Sequence, residues 1–149
     1  IIELLKRNNI TTSGRNVAIV GRSNIVGKPM ASLLLQKGML ADATVTVCHS
    51  HTKNLGAILR RSDIIISAVG HPGLIKANMV KEGAIVIDVG ISRVDDSTMP
   101  RGYRLAGDVD FENVAPKCSY ITPVPGGVGP MTIASLLNNT LKAYIKNQR

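Results

Sequence analysis

Residues 16–29, Asn16-Val17-Ala18-Ile19-Val20-Gly21-Arg22-Ser23-Asn24-Ile25-Val26-Gly27-Lys28-Pro29, constrain the fold more than any other stretch. An apolar run breaks at Gly21, loops through polar residues and enters a helical pattern after Pro29. That reads as a strand, a glycine turn and a helix, the entry to a βαβ unit of the kind that holds nucleotides. Helix-terminal N–H groups converging at such a turn favour a phosphate. Pro29 falls near the helix start, where proline is tolerated. Met30, Leu33, Leu34 and Leu35 then supply an apolar stripe, and Gly38 a stop.

The same alternation continues downstream. Residues 43–48 form a β-branched second strand. Leu55, Ile58 and Leu59 mark a short helix, and residues 63–70 a third, fully apolar strand. Ala77, Met79 and Val80 suggest a helical turn, followed by a fourth strand over 84–90. Residues 92–102, with Asp95-Asp96, read as a polar loop. Less distinct strands follow at 103–109 and 119–122. A last helix is expected from about Pro130, with Ile133, Leu136, Leu137, Leu141, Tyr144 and Ile145 at helical spacing. This order predicts an α/β fold: a doubly wound, mainly parallel sheet with helices on both faces, in three layers. Aromatic residues are only 3% of the chain, so aliphatic side chains must fill the core, as a buried parallel sheet allows.

The 149 residues suit one domain. Residues 1–8 read as the end of a helix, and Asn8-Asn9 with Thr11-Thr12-Ser13-Gly14 as a connector. Ile1, Ile2, Leu4 and Leu5 already show helical spacing with no cap before them, so the expectation is a piece of a longer polypeptide. The net charge of +8 comes from scattered Lys and Arg, and no aromatic ladder accompanies them. That argues against nucleic acid and for a small anionic or phosphorylated ligand. Cys48 and Cys118 lack metal-ligand spacing and fit reduced thiols in a cytoplasmic protein. The sequence suggests no metal site, signal peptide or membrane span.

The turn from Gly21 to Gly27 departs from G-x-G-x-x-G: the middle glycine is replaced and the spacing is longer. By spacing alone it also reads as an ordinary strand–helix turn. Arg22 favours the phosphate reading, because a guanidinium there can grip a phosphate in bidentate fashion. NAD sites usually place Asp or Glu at the end of the second strand. Asp42 has the right offset but precedes that strand, at the wrong end. The correct end carries Cys48, His49 and Ser50, with no carboxylate to repel a 2′-phosphate. Arg22 with Ser50 would accept one, so NADP is expected rather than NAD. His49 and His51 also read as loop imidazoles.

Gly70-His71-Pro72-Gly73 and Gly90-Ile91-Ser92 follow strands, where ligand crevices form, yet both fit plain turns. His71 has no carboxylate partner in sequence and reads as structural. Residues 122–132 combine prolines and glycines, which stiffen and bend a backbone by opposite means. Met131 and Thr132 there could meet a ligand, or Thr132 could cap the helix. Asp88, Asp108 and Asp110 read as structural polar groups or crevice edges.

Gly21-Arg22-Ser23-x-x-Val26-Gly27-x-Pro29, Thr44-Val45-Thr46-x-x-His49-Ser50, Val86-Ile87-Asp88-x-Gly90-Ile91, Gly107-Asp108-Val109 and the run 121–132 together resemble the bifunctional methylenetetrahydrofolate dehydrogenase/cyclohydrolase family. The resemblance implies that 1–149 is a Rossmann-like NAD(P)-binding domain, with 1–13 the end of an inter-lobe helix and its connector. It implies oxidation of 5,10-methylenetetrahydrofolate with NADP, hydrolysis of the methenyl product to 10-formyltetrahydrofolate, and a homodimeric full-length protein. The family's catalytic lysine and tyrosine belong to an N-terminal lobe that this chain lacks, so no catalytic residue is carried over. Family positions put Gly21, Arg22 and Ser23 on the cofactor, and Arg22 and Ser50 at its 2′-phosphate. They put Ile91 near the nicotinamide and Thr132 at a further cofactor contact. Pro125, Gly126 and Gly127 match the loop lining the folate cleft. Ser92 stands where an asparagine is common.

Overall fold

The structure is a computed structural model and describes Ile1–Gln148. In chain order its elements are α1 (Ile2–Arg7), β1 (Asn16–Val20), α2 (Gly27–Leu34), β2 (Thr44–Cys48), α3 (Leu55–Arg60), β3 (Ile64–Ser67), β4 (Ala84–Asp88), β5 (Ser92–Asp95), β6 (Tyr103–Ala106), α4 (Phe111–Val114), β7 (Cys118–Ile121) and α5 (Val128–Asn147). Single 3₁₀ turns at Ala77–Met79 and Ala115–Lys117 link them. Five parallel strands form one sheet in the order β2-β1-β3-β4-β7. The order reverses between β1 and β3, the switch point where doubly wound sheets open a crevice.

Period-2 alternation sends neighbouring side chains to opposite faces. Val17, Ile19, Ile64, Ile66, Ile85 and Ile87 meet Leu5, Met30 and Leu34 on one face, beneath α1 and α2. Ala18, Val20, Ile65 and Val86 meet Leu59 and Val114 on the other, beneath α3 and α4. The sheet is therefore covered on both sides, which is why β3 and β4 carry apolar residues without alternation. β2 lies at the edge, where Thr44 and Thr46 are exposed. No helix among the described residues is long and apolar enough to cross a membrane.

Two expectations need correction, and the last helix, found where expected, is mostly exposed. The polar loop at 92–102 contains β5, which pairs antiparallel with β6 from Ser92↔Ala106 to Asp95↔Tyr103. Its Arg93 guanidinium stacks 4.8 Å over the Tyr103 ring. This ribbon stands off the main sheet and buries little, so its sequence is mostly polar. The α2 stripe is narrower than expected: Met30 and Leu34, one turn apart, are buried, whereas Leu33 is exposed and Leu35 lies past the helix end. Finally, α5 starts at Val128, its one buried residue among those described. Ile133, Leu136, Leu137, Leu141, Tyr144 and Ile145 are 49–67% exposed. The helix is anchored by its first turn and runs off the sheet edge, so its apolar face does not reach the core.

Candidate functional site

Parallel pairing brings the carboxyl ends of β1, β2, β3, β4 and β7 to one edge. At roughly 4.8 Å per strand this edge is ~19 Å wide. The segments singled out from sequence all leave the sheet there.

At β1 the chain leaves through Gly21, which has φ +116°. A Cβ at that position would sit 2.5 Å from the Ala68 carbonyl oxygen. The Gly21 N–H donates to the Cys48 carbonyl (2.8 Å), which joins the turn to β2. Ser23 closes the loop: its Oγ accepts from the Val26 N–H (3.1 Å) and its carbonyl from the Lys28 N–H (3.0 Å). No side chain caps α2 at Val26; with the Lys28 N–H on Ser23, no N–H at Pro29 and the Met30 N–H on Val26, the Gly27 N–H is left open toward the turn. Arg22 is exposed and bonds to no other described residue.

Val20 pairs with Cys48, so Arg22 and Ser50 each lie two residues beyond the last paired position of adjacent strands. Ser50, like Arg22, is exposed. Asp42 sits at the opposite edge, where its Oδ2 accepts the Gly38 N–H (2.8 Å) and ties a turn. His49 is absorbed locally: its N–H donates to Thr52 Oγ1 (2.9 Å) and its Nδ1 accepts the His51 N–H (3.2 Å).

The middle of the edge is organised by two carboxylates. Asp108 is fully buried. Its Oδ2 accepts the Ser67 hydroxyl (2.9 Å) and the Val69 N–H (2.8 Å), and its Oδ1 accepts the His71 N–H (2.8 Å). Asp88, also buried, accepts the Gly90 N–H (2.9 Å) and Asp108 N–H (3.0 Å) on Oδ1 and the Val109 N–H (2.9 Å) on Oδ2. Burial pushes the Asp88 carboxyl above its ordinary range, against the pull of the Val109 and Asp108 N–H bonds. A Cβ on Gly90 would strike the Asp108 carboxylate, and one on Gly107 would strike that of Asp88. The sequence reading gave these aspartates no more than a structural or edge role. The available signal was the pairing of each acid with a glycine, Asp88-x-Gly90 and Gly107-Asp108.

β7 ends at Ile121, and the next residue, Thr122, accepts the Asp88 N–H on its Oγ1 (2.8 Å). The chain then passes through the cis Val124–Pro125 peptide into α5. Here Ile91, Pro125, Gly126, Gly127 and Thr132 line one hollow of about 390 Å³. Thr132 does not cap the helix: its hydroxyl donates back to the Val128 carbonyl (3.1 Å). A larger groove, about 780 Å³, joins the site at Val89, Val128 and Thr132 and runs between α1, α2 and α5.

The expected positions thus fall into two groups on one edge. Gly21, Arg22, Ser23 and Ser50 stand over β1 and β2. Ile91, Thr132 and residues 125–127 stand over β4 and β7. Close backbone approach at the turn and an exposed guanidinium beside it suit a phosphorylated dinucleotide laid along the edge, and the hollow offers space for its far end.

Comparison with known proteins agrees with this geometry. Residues 1–148 match the family model of the tetrahydrofolate dehydrogenase/cyclohydrolase, NAD(P)-binding domain. The bifunctional protein FolD of Phocaeicola vulgatus is 64% identical over 143 residues, which are 96% of this chain and 49% of that protein. The crystal structure of the Campylobacter jejuni bifunctional enzyme FolD, a methylenetetrahydrofolate dehydrogenase/cyclohydrolase, is 53% identical with a TM-score of 0.88 over 99% of this chain and 49% of that one. The Trypanosoma brucei N5,N10-methylenetetrahydrofolate dehydrogenase-cyclohydrolase, complexed with NADP cofactor and inhibitor, is 46% identical with a TM-score of 0.91 and the same coverage. The chain spans about half the length of the curated relatives it matches. It belongs to the tetrahydrofolate dehydrogenase/cyclohydrolase family, as an NAD(P)-binding domain.

Proposed function

We propose that this chain is the NADP-binding part of an enzyme that oxidises 5,10-methylenetetrahydrofolate and hydrolyses 5,10-methenyltetrahydrofolate to 10-formyltetrahydrofolate. The observation that carries the reading is the β1–β2 corner of the sheet edge. Arg22 and Ser50 each follow the end of adjacent strands by two residues, and Asp42, the one acid at the customary offset, is held at the opposite edge. Arg22 grips the 2′-phosphate through its guanidinium, and Ser50 donates a hydroxyl to it. The Gly21 turn lets the backbone approach the pyrophosphate. Bound NADP supplies the hydride-accepting carbon of its nicotinamide. Ile91 and Thr132 hold that ring at the hollow, and Pro125, Gly126 and Gly127 border the folate. The lysine and tyrosine of catalysis belong to the other half of the full-length enzyme. That half covers the apolar face of α5, and 1–13 lead into it.

Holding reactants in register supplies much of a hydride transfer, and this chain holds only one of them. The chain alone therefore binds NADP and catalyses neither step. The full-length protein reduces NADP only when 5,10-methylenetetrahydrofolate is present, and Arg22→Ala raises its KM for NADP at least tenfold. Turnover by the chain alone, or a full-length protein without folate-dependent NADP reduction, overturns the reading.

A further inference from the structure

We propose that Asp108 and Asp88 are positioning residues that set the nicotinamide half of the sheet edge and leave the adenosine half untouched. The inference rests on the NADP reading above. Both carboxylates are buried beneath the edge and are held by six hydrogen bonds, three each, five of them from backbone N–H groups. No Lys or Arg pairs with either among the described residues, so neither acid serves an ion pair. Besides Ser67 at the end of β3, their donors come from three separate loops. Asp108 fixes 69–71 after β3. Asp88 fixes Gly90 after β4, together with the 108–109 strap that carries Asp108 itself. The Asp108 N–H to Asp88 Oδ1 bond (3.0 Å) makes the two one unit.

That unit sets where Ile91 stands, one residue past Gly90, and so shapes one wall of the 390 Å³ hollow. Ser92 continues the tie by donating from Oγ to the Gly70 carbonyl (3.2 Å). Glycine at 90 and 107 is what lets the carboxylates approach the loops they hold. None of the six bonds reaches Arg22, Ser23 or Ser50. Arg22 and Ser50 are set by the β1–β2 ladder and the Ser23 loop instead; the β3 loop reaches that side only at Gly21, which packs against Ala68 and Val69.

The two halves can be read separately with two ligands, NADP and adenosine 2′,5′-bisphosphate, titrated calorimetrically into the chain. Asp108→Asn keeps the shape but replaces one acceptor oxygen by an NH₂ donor, which faces a backbone N–H. The expected result is at least a tenfold loss of NADP affinity with adenosine 2′,5′-bisphosphate affinity kept within twofold. Asp88→Asn should split the two ligands in the same direction. Ser67→Ala removes one donor and keeps both carboxylates, so it carries the test if an aspartate variant fails to fold; a split of about threefold is expected. Equal losses for both ligands, or no loss for either, overturn the proposal, since a general structural role predicts no split. A wild-type chain that binds neither ligand overturns the NADP reading itself, and this inference with it.

Discussion

Replacing Gly27 by alanine sets local helix preference against the packing of the turn. Gly27 opens α2, and alanine in place of glycine favours a helix by up to ~1 kcal/mol. On that ground alone the variant would be more stable. The structure predicts the opposite. The added Cβ would fall on the Gly21 carbonyl and 2.8 Å from Arg22 Cα, all of it backbone. The turn cannot rotate a side chain away and must open. Overpacking of this kind costs roughly 1–3 kcal/mol. Opening the turn also strains the Val26 N–H to Ser23 Oγ bond and the Lys28 N–H to Ser23 carbonyl bond, each worth about 1 kcal/mol. Set against the helix gain, the net loss is ~2 kcal/mol. For a domain of this size that lowers Tm by ~4–8 °C. Because the displaced backbone is also the proposed pyrophosphate cradle, NADP affinity should fall at least tenfold. Thermal unfolding followed by circular dichroism, with a parallel NADP titration, measures both. An unchanged or raised Tm with unchanged NADP affinity would refute the packing argument.

Two other perturbations probe the scaffold. Ile66 is fully buried in the central strand between Ile19 and Ile87, so Ile66→Ala should cost about 3–4 kcal/mol in urea unfolding; a loss below 1 kcal/mol would show that this face of the sheet is not tightly packed. At the opposite edge, the Lys81 ammonium bonds to Asp63 (2.5 Å) and, with the Asn16 N–H, holds that carboxyl below its usual range. A carboxyl lowered by folding contributes stability above the unfolded pKa of about 3.9 and loses it as pH falls through the folded value. Asp63→Asn should therefore cost about 1 kcal/mol near pH 7, allowing for partial exposure, and the difference should close below pH 4; a gap independent of pH contradicts the ion-pair account.

The parts of this fold that were legible in sequence are those governed by local pattern. The Ile64–Ile66 and Ala84–Ile87 runs are apolar without alternation because both faces are covered, and such runs identify central parallel strands. Once the strands were parallel, their carboxyl ends had to share an edge, so the candidate residues could be gathered there. β6 was legible as a less distinct strand, but its partner β5 was missed because a strand that buries little has no apolar signature. The apolar face of α5 was legible, but helical spacing says that a face is apolar and not what covers it. The Asp88–Asp108 unit was missed for another reason. Ser67 and Asp108 are 41 residues apart, and no periodicity encodes a bond of that range. Only the glycines at 90 and 107, whose missing side chains make the space, left a trace.

The central claim is that the β1–β2 corner reads a 2′-phosphate, and the affinity ratio of NADP to NAD tests it most directly. The two ligands differ only in that phosphate, so the ratio is insensitive to everything else along the edge. A charge-assisted contact is worth about 1.5–3 kcal/mol, or roughly 10- to 150-fold. The chain should therefore bind NADP at least tenfold more tightly than NAD, and Arg22→Ala together with Ser50→Ala should bring the two affinities together by weakening NADP alone. Equal affinities in the wild-type chain, or a preference that survives the double substitution, would contradict it.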